Sequence, residues 1–108
     1  MQNIASAGQC DVPRGAPNHF VEHLRVESLS IGTYCIPATG ADDQRPHTED
    51  EVYIVISGSG SFVGGSERMD VGAGTTLFVP AGEDHRFVDI VEDLVVLVVF
   101  SPPYETLG

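Results

Sequence analysis

The chain consists of short segments rich in β-branched and aromatic residues, which clusters of Gly, Pro and Asp separate at regular intervals. Such clusters reverse the chain direction, and short strands at regular spacing are typical of a β-sandwich or β-barrel. No segment has the periodicity of an amphipathic helix. The sequence therefore predicts an all-β fold with strands at residues 20–24, 29–36, 52–57, 61–63, 68–71, 76–79, 85–90 and 94–100.

A single domain accounts for the length of the chain. The 108 residues, of which 42% are hydrophobic, suffice for one compact core and leave no room for a second. Glycine and proline are frequent near the N-terminus, at Gly8, Pro13, Gly15 and Pro17. We therefore predict a flexible N-terminal arm at residues 1–18 and one domain at residues 19–108.

The chain is strongly acidic, with a formal net charge of −11 from 16 acidic and 5 basic residues. It has no basic patch that could neutralise phosphates, and anionic membranes repel a chain of this charge. Its longest wholly apolar run, residues 94–100, is too short to span a bilayer, and the N-terminus lacks the apolar region of a signal peptide. We therefore predict a soluble, cytoplasmic protein with neither nucleic acid nor membrane as a partner.

The two cysteines, Cys10 and Cys35, lie far apart in the sequence and form no CxxC pair. This spacing indicates neither a zinc knuckle nor a thioredoxin-type motif. We interpret both as buried or tolerated thiols.

Two of the predicted strands, "VYIVIS" at residues 52–57 and "LVVLVVF" at residues 94–100, are apolar on both faces. A single core covers only one face of each strand. Because no helix is predicted, we expect a second copy of the chain to cover the other face through a twofold interface, which predicts a homodimer. The alternative is that terminal segments fold back over this face.

The stretch "RPHTEDE" at residues 45–51 places His47 four residues before Glu51, and Glu51 begins an apolar strand. A second imidazole, His85, follows "VPAGED" and opens a later strand. Two imidazoles and one carboxylate on one face can hold a divalent metal and leave positions open for water or substrate. The sequence therefore predicts a site for Fe, Mn, Zn or Ni with these three residues as ligands.

The spacing around these residues resembles the two motifs of the cupin family of small jelly-roll barrels. Glu51 is followed by six residues and Gly58, as in the first motif, and His47 falls on the second histidine of its HxH. The second motif matches "GTTLFVPAGEDHRFVD" at Gly74, Pro80, Gly82 and His85, and it departs only at Asp89, where the family has asparagine. The resemblance covers residues 28–100 and implies a double-stranded β-helix, the jelly-roll barrel of cupins, that binds metal through His47, Glu51 and His85.

Arg45 occupies the position of the family's first histidine. A guanidinium has no lone pair to donate, so three ligands remain, as in the 2-His-1-carboxylate triad. If the site is active, Arg45 is expected near its open face, where it would bind an anionic substrate. If the site has lapsed, Arg45 pairs with Glu49 or Glu51. A register slip would bring in Gln44 as a neutral oxygen ligand, although its spacing from His47 does not fit the motif.

The alternation of side chains along a strand assigns further residues to the same cavity. Tyr53 lies two residues after Glu51, and Phe87 lies two residues after His85, so each is expected to point to the same face of its strand and toward the metal. We assign Tyr53 and Glu49 to proton transfer, and Arg45 and Phe87 to substrate binding.

The implied fold hosts many activities, so a function has to be argued from the site. Our main interpretation is a small metalloenzyme of the isomerase or dioxygenase type that acts on a small polar or anionic metabolite. The alternatives are a non-catalytic protein that binds or senses a small molecule and a structural dimer with an inactive site.

Overall fold

The computed structural model describes residues 1–105, which form six β-strands and no helix. All strands pair antiparallel in one sheet of order β1-β2-β6-β3-β4, and β5 pairs with the first part of β3. The strands are β1 His19–Arg25, β2 Ser30–Ile36, β3 Asp50–Gly64, β4 Glu67–Gly72, β5 Thr76–Val79 and β6 His85–Ser101. The predicted all-β fold is confirmed, and the last part of the predicted domain, residues 106–108, lies outside the described residues.

No helix long and apolar enough to cross a membrane occurs in the described part of the chain.

Two strands are longer than the sequence predicts. Predicted strands 52–57 and 61–63 join into β3, and predicted strands 85–90 and 94–100 join into β6. The turn predicted at "VED" is wrong, because β6 continues through it while its register with β3 shifts at three points. Such shifts and bulges bend a strand without ending it. Both long strands therefore bend and keep their pairing.

The bend folds the sheet around one core. Tyr53, in the first half of β3, lies 5.8 Å from Phe62 in the second half and 5.3 Å from Phe87 in β6, measured between ring centroids. Phe62 and Phe87 also pack edge to face at 4.8 Å. Aromatic pairs at these distances add to the burial of apolar area. The two halves of the sheet thus form opposite walls of a single barrel.

Gly58 lies at the bend of β3 and has a φ of +89°, which favours glycine. A Cβ at this position would lie 2.0 Å from the carbonyl oxygen of Asp93 in β6. No side chain fits between the two backbones here. The glycine of the first motif is therefore required by the close approach of the two bent strands.

The N-terminal arm covers the outer face of β2. Cys10 forms a disulfide with Cys35, and the N–H of Gly8 donates to Thr33 Oγ1 at 2.9 Å. Thr33 and Cys35 point away from the core, yet they are 0% and 4% exposed. The interpretation of the two cysteines as unpaired thiols is wrong, because folding brings Cα atoms 25 residues apart in sequence to within 6.5 Å.

A row of apolar side chains crosses the outer face of the sheet beyond the arm. Backbone pairing aligns Ile31 with Val99, Val99 with Val52, and Val52 with Phe78. Phe78 is 64% exposed, and the other three are partly exposed. Both faces of β3 and β6 are therefore apolar, as the sequence indicates, and this outer row contacts solvent in the single chain.

Candidate metal centre

The three predicted ligands lie together at one end of the barrel. His85 Nε2 is 3.3 Å from Glu51 Oε1, and His47 Nε2 is 3.8 Å from the same oxygen. Glu51 and His85 are 1% and 2% exposed, whereas His47 is partly exposed. The predicted site residues His47, Glu51 and His85 therefore converge, and their ligand atoms all lie within 4.8 Å of one another.

The bend of the sheet creates this convergence. Register pairs Glu51 with Phe100 at one end of the β3–β6 ladder and Gly64 with His85 at the other. In a flat sheet the 13 positions from residue 51 to residue 64 would span about 43 Å, at about 3.3 Å per residue. The fold closes this separation to the 3.3 Å contact between Glu51 and His85.

Backbone contacts hold the two histidine-bearing segments together. The N–H of Gly82 donates to the carbonyl of His47 at 2.7 Å, and the N–H of Ala81 donates to Asp50 Oδ1 at 2.9 Å. Residues 80–84, which precede His85, are thereby joined to the segment that carries His47 and enters β3. The "PAG" of the second motif positions one ligand segment against the other.

His85 is oriented by its second ring nitrogen. Nδ1 lies 2.8 Å from the carbonyl of Glu83, and a carbonyl only accepts, so Nδ1 carries the proton and Nε2 faces Glu51. Burial disfavours the charged imidazolium, but hydrogen bonds to Glu51 and Glu83 outweigh burial and raise the pKa of His85 above 6.5. A carbonyl on the far nitrogen is the usual support of a metal-ligating histidine.

Tyr53 and Gln44 close a ring of five polar atoms around the site. Tyr53 Oη lies 2.9 Å from His85 Nε2 and 3.0 Å from Gln44 Oε1. Gln44 Oε1 lies 3.0 Å from His47 Nε2. Burial, followed by the charge of Glu51, raises the pKa of Tyr53 well above its ordinary value. Tyr53 therefore lies beside the predicted ligands, and Gln44 lies with them although its spacing from His47 does not fit the motif.

The family model for the cupin domain matches residues 32–100 of the chain. The chain belongs to the cupin family. The predicted jelly-roll barrel is confirmed by the solved cupin structures to which the chain is similar. One of them, an RmlC-like cupin from Desulfovibrio desulfuricans, has a TM-score of 0.77 at 21% identity, with 95% of this chain and 98% of that chain covered.

Two further proteins are similar to this cupin. An uncharacterized protein of Streptomyces coelicolor is 46% identical over 84 residues, which cover 78% of this chain and 80% of that protein. A proposed mannose-6-phosphate isomerase from Ralstonia eutropha has a solved structure with a TM-score of 0.70 at 27% identity. The similarity covers 94% of this cupin and 96% of the Ralstonia chain.

The site fits a divalent metal. Two ligands about 2.1 Å from an ion are about 3.0–3.4 Å apart at octahedral or tetrahedral angles, close to the contacts of Glu51 with His85 and of His47 with Gln44. Glu51 Oε2 is buried without a hydrogen-bond partner. A buried carboxylate oxygen without a partner is costly, and a cation that Glu51 binds through both of its oxygens would satisfy it. His47, Glu51 and His85 supply the mixed nitrogen and oxygen ligands that such ions take.

A cavity of about 180 Å³ adjoins the ring of polar atoms. Tyr53 and His47 lie at its inner end, and Tyr104 stacks on Phe100 at 4.7 Å beside His47. Burial raises the pKa of Tyr104 to about 12, so its phenol is neutral. Asp43 is the one charged side chain among the described lining residues, which are Asn18, Phe20, Tyr34, Asp43, Gln44, His47, Tyr53, Val98, Phe100 and Tyr104.

Three other predicted site residues lie outside the ring and outside this cavity. Arg45 is exposed and lines a neighbouring outer groove together with Glu49, and this groove shares Gln44, His47 and Tyr104 with the cavity. Glu49 is 2% exposed and accepts a hydrogen bond from the hydroxyl of its neighbour Thr48. Phe87 is buried and packs against Tyr53 from the core side.

Sequence reasoning missed the roles of Asp42 and Tyr104, and it considered Gln44 only as a ligand through a register slip. Asp42 and Gln44 lie between β2 and β3, and Tyr104 lies after β6, so the alternation of side chains along a strand does not apply to any of them. Tyr104 reaches the cavity because its N–H donates to Ser30 Oγ at 2.9 Å and its carbonyl accepts from Arg25 at 2.5 Å. These contacts are distant in sequence, and no local pattern signals them.

Proposed function

We propose that this cupin is a divalent-metal-dependent enzyme of the isomerase type that acts on a small polar metabolite. The observation that supports this most directly is the buried ring of His47, Glu51, His85, Tyr53 and Gln44 at the inner end of a cavity. A ligand in this cavity would lie against the metal ligand His47 and the phenol of Tyr53. This arrangement combines an electrophilic centre with a group that can exchange a proton.

Each part of the site has a role in the proposed reaction. A metal held by His47, Glu51 and His85 would polarise a carbonyl or hydroxyl oxygen of the substrate. Tyr53 Oη, hydrogen-bonded to His85 and Gln44, would hold a proton beside that oxygen. Phe100 and Tyr104 would exclude water from one side of the substrate. Glu49 faces the outer groove, so we assign the proton transfer to Tyr53 alone.

The cavity favours an uncharged substrate. Its described lining contains no Lys or Arg, and its one charged group, Asp43, repels anions. Arg45, to which the sequence analysis assigns an anionic substrate, lies in the outer groove. The Ralstonia protein, 27% identical, is a proposed isomerase of a sugar phosphate, which supports carbonyl chemistry of the same general kind. We therefore propose a neutral hydroxycarbonyl compound as the substrate class.

The experiment that tests this function combines thermal shift with proton exchange. Zn(II)- and Mn(II)-loaded protein is screened against neutral hydroxyaldehydes, hydroxyketones and small sugars, each with its carboxylate or phosphate analogue. A ligand at about 100 times its Kd should stabilise the protein by about 2.7 kcal/mol. Neutral members should give the larger shifts, and NMR in D₂O should detect deuterium entering the carbon next to the carbonyl.

Metal-stripped protein and the Tyr53→Phe variant are the controls for this experiment. Both should lose deuterium exchange, and the Tyr53→Phe variant should keep its metal because Tyr53 is not assigned as a ligand. A thermal shift without exchange would favour the non-catalytic binding function. The absence of both shift and exchange over the whole panel would contradict the proposed substrate class.

We also propose that the cupin forms a homodimer through the outer row of Ile31, Val52, Phe78 and Val99. This row crosses four strands, and Phe78 at its end is 64% exposed. A stable interface buries about 1,200–2,000 Å² in total. The net charge of −11 opposes association, so the dimer should tighten as salt screens it.

Light scattering at low and high ionic strength measures this association. The Phe78→Asp variant should be monomeric under conditions where the parent is dimeric, because it places a charge within the buried row. Val91→Asp is the matched control, since Val91 is 73% exposed and lies outside the row. A parent protein that is monomeric at both ionic strengths would refute the dimer.

A further inference from the structure

Asp42 anchors the segment that precedes the metal ligand His47. Its Oδ1 accepts the hydroxyl of Tyr34 at 2.8 Å, and its Oδ2 accepts the N–H of Phe87 at 2.8 Å. Asp42 is 8% exposed, and these partners belong to β2 and β6. The carboxylate therefore ties a loop between β2 and β3 to two strands of the barrel wall. Both of these partners are themselves buried.

The same carboxylate orients the side chain of Gln44. Gln44 Nε2 donates to Asp42 Oδ2 at 2.7 Å, and the backbone N–H of Gln44 lies 3.2 Å from Asp42 Oδ1. A carboxylate accepts hydrogen bonds, so the amide presents its NH₂ to Asp42 and its oxygen to the opposite side. That oxygen lies 3.0 Å from both His47 Nε2 and Tyr53 Oη. Asp42 thus directs a carbonyl oxygen into the ring of polar atoms.

We infer that Gln44 Oε1 is a fourth protein ligand of the metal, held in place by Asp42. This inference rests on the proposed metal site of His47, Glu51 and His85. The 3.0 Å between Gln44 Oε1 and His47 Nε2 is the spacing of adjacent ligands on one ion. An amide oxygen is a neutral ligand that suits divalent cations beside imidazole and carboxylate.

This assignment accounts for Arg45 at the family's first histidine position. Arg45 is exposed and lines only the outer groove, whereas Gln44, one residue earlier, lines both that groove and the cavity and places its oxygen in the ring. The loop therefore supplies its fourth ligand from the neighbouring position. Replacing Arg45 with histidine should accordingly leave metal affinity unchanged, because Gln44 already supplies the fourth ligand.

The first measurement uses Co(II), whose visible absorption reports its ligands. Co(II) affinity, from competition with a chelator, should fall at least about tenfold in Gln44→Leu, and the absorption spectrum should change. Arg45→Gln is the matched control and should keep the affinity and spectrum of the parent. Tyr53→Phe removes the other hydrogen bond to Gln44 Oε1, so an unchanged spectrum in this variant separates a metal ligand from a hydrogen-bond acceptor.

The second measurement uses the parent chain and does not depend on the folding of a variant. The sequence contains three glutamines, so ¹⁵N NMR can resolve the side-chain amides of Gln2, Gln9 and Gln44. Zn(II) should shift the Gln44 amide and leave the other two unchanged. If the parent binds Co(II) and Zn(II) but neither the Gln44→Leu spectrum nor the Gln44 resonance changes, the inference is wrong and the three-ligand site stands. If the parent binds neither metal, the proposed function and the inference both fail.

Discussion

The His47→Ala/His85→Ala variant should bind metal more than about 100-fold more weakly than the parent, because it loses both imidazole ligands and retains only oxygen ligands. Metal per chain, measured by elemental analysis after dialysis, and competition with a chelator give the size of the loss. Metal binding to the parent should also weaken as the pH falls through the pKa of His85, which lies above 6.5, since a ligating imidazole has to be deprotonated.

A variant that loses the two histidines outside the site is the matched control. His19 and His23 lie in β1, where His23 Nε2 contacts Thr33 Oγ1 at 2.6 Å. The His19→Ala/His23→Ala variant removes the same number of imidazoles and should keep the metal content of the parent. Equal metal content in the two double variants would show that His47 and His85 are not the ligands.

The ligands His47, Glu51 and His85 could be predicted from the sequence because specific backbone contacts require the motif residues around them. Gly58 has to be glycine where β3 approaches the backbone of β6, and Gly82 donates its N–H to the carbonyl of His47. Each constraint fixes one residue type at one distance along the chain. A sequence motif records such a constraint as a residue type at a fixed spacing, so the two motifs predict the fold and the metal ligands together.

The lengths of β3 and β6 could not be predicted in the same way. The stretch "VED" combines two carboxylates with a break in the apolar pattern, which locally resembles a turn. In the structure its backbone is paired with β3, and Ser59 aligns with Glu92. Pairing with a strand more than 30 residues earlier outweighs the local preference. The position of the bend depends on both strands and is not visible in either one.

The motif points to Arg45 and not to Gln44 as a ligand for the same reason, because contacts distant in sequence decide which side chain enters the ring. Motif alignment places Arg45 at a ligand position, but in the structure Gln44 reaches the ring because Asp42, which is held by Tyr34 and Phe87, orients its side chain. A loop has no fixed alternation of side chains, unlike a strand. The direction of the Gln44 side chain therefore follows from contacts with β2 and β6 and cannot be read from spacing.

The second large effect is expected when the disulfide is lost. The Cys10–Cys35 bond closes a loop with a sequence separation of 25 residues, for which chain-entropy estimates give a stabilisation of about 3 kcal/mol. The Cys10→Ser variant should therefore unfold at a lower denaturant concentration, and its Tm should fall by at least about 10 °C. Denaturant unfolding of metal-free protein measures the free energy directly and excludes changes in metal content.

Two comparisons separate the bond from the contacts of the arm. Reductant should lower the stability of the parent to that of Cys10→Ser and leave the variant unchanged. Deletion of residues 1–9 retains both cysteines and removes the hydrogen bond from Gly8 to Thr33, so it should cost only about 1 kcal/mol. A deletion that costs as much as Cys10→Ser would assign the stabilisation to packing of the arm.

The stability of the chain without its disulfide bears on the cytoplasmic location that the sequence analysis predicts. Disulfides persist in oxidising compartments and are reduced in the cytoplasm, so the stability of the reduced chain is the relevant quantity there. Domains of this size have a free energy of unfolding of about 5–15 kcal/mol. A chain with a value near about 15 kcal/mol stays folded after a loss of about 3 kcal/mol. A chain with a value near about 5 kcal/mol unfolds to a substantial fraction at elevated temperature after the same loss. If the reduced parent unfolds below 37 °C, the predicted cytoplasmic location is incompatible with a folded protein.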